Sequence, residues 1–189
     1  MKRIALVGGG ARSGKSAFAL ALARSRGARR VFVATGQAFD DEMRARIAAH
    51  ARERGPDFVT IEEPVAVPAR LDQLDAAQAD VVVIDCLTLW LSNLMLRDEP
   101  EAAIAHHVDA LADALRRCAC HTIVVTNEVG LGLVPETPLG RAFRDVTGRA
   151  HQTLAAIADD LYLAVMGVVL QLRPAPVSLA LVPPPSIEG

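Results

Sequence analysis

The apolar run Ile4-Ala5-Leu6-Val7-Gly8 leads directly into Gly9-Gly10-Ala11-Arg12-Ser13-Gly14-Lys15-Ser16. The second segment fits the phosphate-binding loop pattern G-x-x-x-x-G-K-[ST], which requires a strand before it and a helix after it. Both are readable here. The residues before it are a strand, and Ser16 to Arg26 is an Ala-rich helix with Gly27 as its stop. The glycines let consecutive backbone N–H groups curl around an anion, and the positive end of the helix adds to that field. Lys15 is placed to reach the outer phosphates and the Ser16 hydroxyl to ligate Mg²⁺.

The chain has 189 residues, 51% of them hydrophobic, enough for one domain with a real core. Its formal charge of −2 offers no bulk attraction for nucleic acid or an anionic membrane surface. No apolar stretch approaches the roughly 18–20 residues of a membrane span. Met1-Lys2-Arg3 enters a strand at once, which leaves no room for a signal peptide. Cys86, Cys118 and Cys120 are odd in number and lack the two-residue spacing of zinc or redox motifs. They read as reduced, buried filler in a cytoplasmic protein.

Short apolar runs rich in β-branched residues recur along the chain: 31–35, a weaker one at 58–61, then 81–85, 122–126 and 161–165. Apolar residues at consecutive positions suit strands buried on both faces of a parallel sheet. Helical patterns lie between them. Ile104, Val108, Leu111, Leu115 and Cys118 alternate spacings of four and three, as do Phe143, Val146, Ala150, Leu154 and Ile157. The alternation predicts an α/β fold, a single doubly wound, P-loop NTPase-like domain over residues 1–173 with a mostly parallel sheet. Gly167 permits a turn into 168–172 as a C-terminal antiparallel edge strand. Five prolines between Pro174 and Pro185 predict an extended tail over 174–189.

Ligands of such sheets bind at the carboxyl ends of the strands. Thr35, Gly36, Gln37, Asp85, Thr126, Asn127 and Glu128 all fall there and share a rim with the phosphate loop. Asp85 ends an apolar strand as a metal-binding carboxylate does, although a helix N-cap for the segment from Leu87 is the alternative. The segment from Asp40 to Arg54 begins with acids and ends with bases, as a helix dipole favours. Within it Met43, Ile47 and His50 form a stripe predicted to face the protein. An inward histidine flanked by Arg52 and Arg54 is either a nucleophile toward phosphorus or a packing residue, and spacing alone favours packing. Arg141, Arg144 and Arg149 either reach a triphosphate or line a solvated face. The residues alone thus leave three readings open: a phosphoryl or nucleotidyl transferase, a plain small-molecule kinase, or a nucleotide-dependent binding module.

Six motifs in order carry a resemblance. They are the loop of residues 9–16, Ala34-Thr35-Gly36-Gln37, Asp40-Asp41-Glu42-Met43 with Arg46-Ile47-Ala48-Ala49-His50, Asp85-Cys86-Leu87-Thr88, Thr126-Asn127-Glu128-Val129-Gly130, and Phe143-Arg144-Asp145 leading to Gly148. Together they resemble the bifunctional adenosylcobinamide kinase/adenosylcobinamide-phosphate guanylyltransferase family of cobalamin synthesis, over about residues 3–172. The resemblance implies a kinase step on adenosylcobinamide with ATP or GTP. It also implies a second step in which GTP guanylylates a histidine, and the GMP passes to adenosylcobinamide phosphate. The family pattern Arg-Ile-x-x-His falls on His50, which makes His50 the nucleophile rather than a packing residue, with Lys15 as the second catalytic group. The resemblance places nucleotide on Gly9, Gly10, Ala11, Arg12, Ser13, Gly14, Lys15 and Ser16, on Ala34, Thr35 and Gly36, on Ala51, Arg52, Glu53 and Arg54, and on Glu62 and Asp85. Mg²⁺ is placed on Ser16 and Asp85, and the assembly is expected to be a homotrimer. The chain departs from the usual family pattern at His151, where asparagine is common, and at Asp85, where glutamate is common.

Overall fold

The computed structural model describes residues 1–38, 40–97 and 100–174. Thirteen elements follow one another: β1 (Ile4–Gly9), α1 (Lys15–Arg26), β2 (Arg30–Ala34), α2 (Asp41–Arg54), β3 (Val59–Glu62), α3 (Val67–Asp72), β4 (Val81–Asp85), α4 (Leu87–Met95), α5 (Glu101–Arg117), β5 (His121–Asn127), α6 (Pro138–Ile157), β6 (Asp160–Val165) and β7 (Val168–Arg173). The seven strands form one sheet in the order β3-β2-β4-β5-β1-β6-β7. All neighbours are parallel except β6 and β7. The expected α/β sandwich and its antiparallel edge are therefore present. Of the tail expected at 174–189, residues 175–189 lie outside the described residues.

Strand side chains alternate between two cores, as the period of two requires. Leu6, Val82, Ile84 and Val124 face the larger core, packed with Leu87, Trp90, Leu91, Leu94, Leu111, Leu115 and Leu154 from α4, α5 and α6. Val7, Val81, Val83, Ile123 and Val125 face a smaller one, closed by Ala19, Leu20 and Ala23 of α1 with Phe32 and Phe58. The helix ends follow local chemistry. Asp40 caps α2 by accepting from the Met43 amide at 2.7 Å, and Thr137 caps α6 through the Gly140 amide at 3.1 Å.

At the amino-terminal end of the sheet a buried ion cluster fastens β6. Asp160 accepts from Arg3 and from Arg26, each at 2.5 Å. Asp160 and Arg26 are nearly closed to solvent, whereas the Arg3 side chain is 44% exposed.

Candidate active site

The carboxyl ends of β1, β2, β4 and β5 meet on one rim. Ala34 pairs with Asp85 and Gly9 with Asn127. Two glycines make the phosphate loop possible. A Cβ on Gly9 would stand 2.5 Å from the Ala164 carbonyl oxygen and 2.6 Å from Ser13 Oγ, so only a bare Cα fits between β6 and the loop. Gly14 adopts φ 92°, a conformation that side chains disfavour, and it starts α1. The first turn of α1 contains no acid, which preserves the positive potential of that helix end. Gly10, Ala11 and Arg12 form the exposed crest. Lys15 is buried beneath it, and its Nζ donates to the Gly10 carbonyl at 3.0 Å. The Gly167 amide, in the β6–β7 turn, donates to the Ser13 carbonyl at 3.2 Å and braces the loop from outside.

Asp85 is the electrostatic centre of the site. Burial pushes its carboxyl above the usual range. Opposing that, the Ser16 hydroxyl donates to it, and the charges of His50, Lys15 and Arg54 pull it back down. Four predicted residues from two other elements, α1 and α2, thus act on one carboxylate at the end of β4. An acid and a hydroxyl side by side at a phosphate loop suit Mg²⁺, which takes one or two protein oxygens and completes its shell with phosphate and water.

Arg54 ends α2, buried, with its guanidinium 4.0 Å above the Phe32 ring. Burial lowers its pKa, and Asp85 and Glu62 oppose that shift. The charges of Asp85 and Glu62 thus both bear on Arg54, and Glu62 stands exposed at the end of β3.

The inward stripe predicted for α2 is corrected at His50. Its side chain is 45% exposed, with Nδ1 3.6 Å from Glu53 Oε2. Met43 and Ile47 are only partly covered, and Ala51, Arg52 and Glu53 are exposed. The physical reason is that this part of α2 borders the open rim rather than the core. His50 is neither a packing residue nor remote from the site.

Thr35 is buried, and its hydroxyl is engaged within the protein. It accepts from the Cys86 amide at 2.7 Å and donates to the Cys86 carbonyl at 2.8 Å. Its carbonyl accepts from Asn93 Nδ2 at 2.8 Å. Its amide donates to the Asp85 carbonyl at 3.2 Å, so this threonine ties β2 to the end of β4. Asn127 donates to Thr88 Oγ1 at 3.0 Å across the same rim.

The arginines of α6 serve the loop before it. Arg141 donates to the carbonyls of Pro135 and Glu136 at 3.0 and 2.7 Å, and Arg144 to that of Gly130 at 2.6 Å. Arg149 pairs with Glu101 at 2.5 Å. An open hollow of about 350 Å³ lies beside them, lined by Gly130, Arg144, Asp145, Gly148, Arg149 and Gln152. The three cysteines are free thiols and buried, as expected.

Sequence reading gave His151 no role. In the structure Thr126 Oγ1 lies 2.7 Å from its Nε2, and Glu128 Oε2 lies 3.5 Å from its Nδ1. No spacing rule links a strand end to a helix more than twenty residues away, so the signal was not in the sequence.

Fold and rim define a P-loop NTPase-like protein. The architecture matches an ATPase from the type III secretion system of pathogenic bacteria (TM-score 0.53, 10% identity, covering 85% of this chain and 50% of that one). At that identity the likeness concerns the fold alone. Among the described residues, no helix is long and apolar enough to cross a membrane. The chain belongs to the family described as cobinamide kinase / cobinamide phosphate guanyltransferase, whose model matches residues 5–172. It is 40% identical over 171 residues to the bifunctional adenosylcobalamin biosynthesis protein CobP of Pseudomonas aeruginosa, covering 90% of this chain and 98% of the relative. It is 39% identical over 183 residues to the bifunctional adenosylcobalamin biosynthesis protein CobU of Escherichia coli, covering 89% and 98%.

Proposed function

We propose that this chain catalyses both reactions of its family. It phosphorylates adenosylcobinamide with a nucleoside triphosphate, and it transfers GMP from GTP to adenosylcobinamide phosphate by way of a guanylylated His50. The observation that carries this reading is that the phosphate loop and α2 border one carboxylate: the Ser16 hydroxyl donates to Asp85, and the charges of His50, Lys15 and Arg54 oppose the effect of its burial.

In the nucleotidyl step an imidazole nitrogen of His50 attacks the α-phosphorus and pyrophosphate leaves. The phosphate of adenosylcobinamide phosphate then attacks the same phosphorus and the imidazole leaves, giving adenosylcobinamide-GDP. The histidine thereby divides one displacement into two. The Glu53 carboxylate lies on the Nδ1 side of the ring, and Nε2 is the nucleophile. Arg54, held over Phe32, and Lys15 stabilise charge on the phosphates. Glu62 accepts from the N1–H and amino group of guanine, donors that adenine does not present in that arrangement. Ser16 and Asp85 hold Mg²⁺, which neutralises phosphate charge when bound. The active form is a homotrimer in the cytoplasm; the apolar residues Val168 and Leu170, exposed on edge strand β7, support a covered edge.

Incubation with α-labelled GTP tests the reading. Wild type acquires label that is labile to acid and stable to base, and His50→Ala acquires none. Unlabelled wild type that still phosphorylates adenosylcobinamide reduces the protein to a plain kinase. Nucleotide binding without either product makes it a binding module.

A further inference from the structure

The kinase step needs an acceptor for the proton of the attacking hydroxyl, and the reading above assigns none. Asp85 is engaged with Ser16. Glu62 is disposed toward Arg54 and Glu53 toward His50. Glu128 offers a carboxylate that is built into the rim. Its amide donates to the Gly9 carbonyl at 3.0 Å, so its Cα lies beside the first glycine of the phosphate loop. Its Oε1 accepts from the Gly130 amide at 2.6 Å. Its Oε2 faces His151 Nδ1 at 3.5 Å, and the far nitrogen of that ring is anchored by Thr126 Oγ1 at 2.7 Å. The His151 side chain is 17% exposed, while the Glu128 side chain keeps 29% exposure. The carboxylate is therefore held from two sides yet open to a substrate, and Gly130, which holds it, also lines the hollow against α6.

We propose that Glu128 accepts the proton of the acceptor hydroxyl in phosphoryl transfer, and that His151 is the positioning residue that aims its carboxylate. The proposal rests on the kinase reading. The acceptor O–H bond breaks and its proton moves to the Glu128 carboxylate. The oxygen bonds the γ-phosphorus, and the bond from that phosphorus to the β–γ bridging oxygen breaks. Nucleoside diphosphate leaves, and the proton passes to solvent. The Thr126 hydroxyl donates to Nε2 in the tautomer that carries its proton on Nδ1, the nitrogen facing Glu128. Burial keeps the ring's pKa below the ordinary value, against the pull of Glu128, so a neutral ring leaves the charge of the carboxylate unquenched.

The test measures kcat and KM for phosphorylation of adenosylcobinamide alongside guanylylation of His50. Removal of a general base costs about 10²–10⁴-fold. Glu128→Gln is expected to lose that much kcat, with little change in the KM for nucleotide and with His50 labelling intact. His151→Ala loses about 10–100-fold in kcat by misplacing the carboxylate. His151→Asn, which keeps a donor at the Nδ1 position, recovers most of the loss. His151→Gln, which keeps only the position facing Thr126, does not. Glu128→Gln with kcat within threefold of wild type overturns the proposal, as does parallel loss of both half-reactions, or Asn and Gln behaving alike. If wild type leaves adenosylcobinamide unphosphorylated, the kinase reading falls. The role of Glu128 is then decided on slow hydrolysis of nucleotide by water, where an undiminished rate in Glu128→Gln overturns it.

Discussion

Gly9 and Gly10 are adjacent in the phosphate loop, yet they should respond oppositely to the same substitution. A Cβ on Gly9 meets the Ala164 carbonyl oxygen at 2.5 Å, Ser13 Oγ at 2.6 Å and Ala164 Cβ at 3.1 Å, whereas one on Gly10 meets nothing within 4 Å. The Ser13 hydroxyl is a light side chain, but the Ala164 oxygen belongs to a strand paired with β1 through Gly9↔Ala164. Relief of that contact therefore separates β1 from β6. Overpacking of this kind costs about 1–3 kcal/mol, which for a domain of this size lowers Tm by about 2–12 °C. Gly10→Ala should stay within about 0.5 kcal/mol of wild type, as an unobstructed surface change does. Thermal unfolding followed by circular dichroism without nucleotide measures both variants and keeps ligand affinity out of the comparison. Gly9→Ala at wild-type Tm, or Gly10→Ala falling as far, refutes the claim that contact with β6 sets the glycine requirement.

Lys15→Ala should lower phosphorylation and His50 guanylylation together, each by about 10²–10³-fold, as loss of an electrostatic stabiliser does; loss of one activity alone would mean separate nucleotide sites. Arg3 and Arg26 hold the Asp160 carboxyl below its ordinary value of 3.8, so its contribution to stability is complete above about pH 4 and is lost as pH falls through the folded-state value. Denaturant unfolding should show Asp160→Asn less stable by about 3 kcal/mol at pH 7, the low end for a buried pair because Arg3 is partly solvated. The variant should also lose less stability than wild type below pH 4, and equal acid slopes would contradict the assignment.

The legible parts of the fold were those with a period or a cap. β4 matches its sequence reading of 81–85, and the ends of the other strands and of α1 moved by a residue or two. One helix, α3, escaped, and α4 was read only as the alternative start at Leu87, where its N-cap proves to be Cys86 rather than Asp85. α3 has six residues, too few for a repeating pattern. α4 buries Leu87, Thr88, Trp90, Leu91, Asn93 and Leu94, so it has no polar face to set against an apolar one. The places of the phosphate loop and of Asp85 on the rim were readable because local chain geometry fixes them. The contacts of Thr35 and His151 were not, since their partners, Cys86 and Thr126 with Glu128, lie at or just past the ends of other strands. His50 falls between the two cases. Its helix was plain, but whether a stripe meets core or an open rim depends on what lies beneath it.

The position of β5 between β1 and β4 sets the breadth of the cleft. Two strand spacings, about 9–10 Å, separate the backbone that launches the phosphate loop from the backbone that carries Asp85. Across that gap the acid accepts from a serine reaching over from α1 and feels the charge of Lys15, whose ammonium also donates to its own loop.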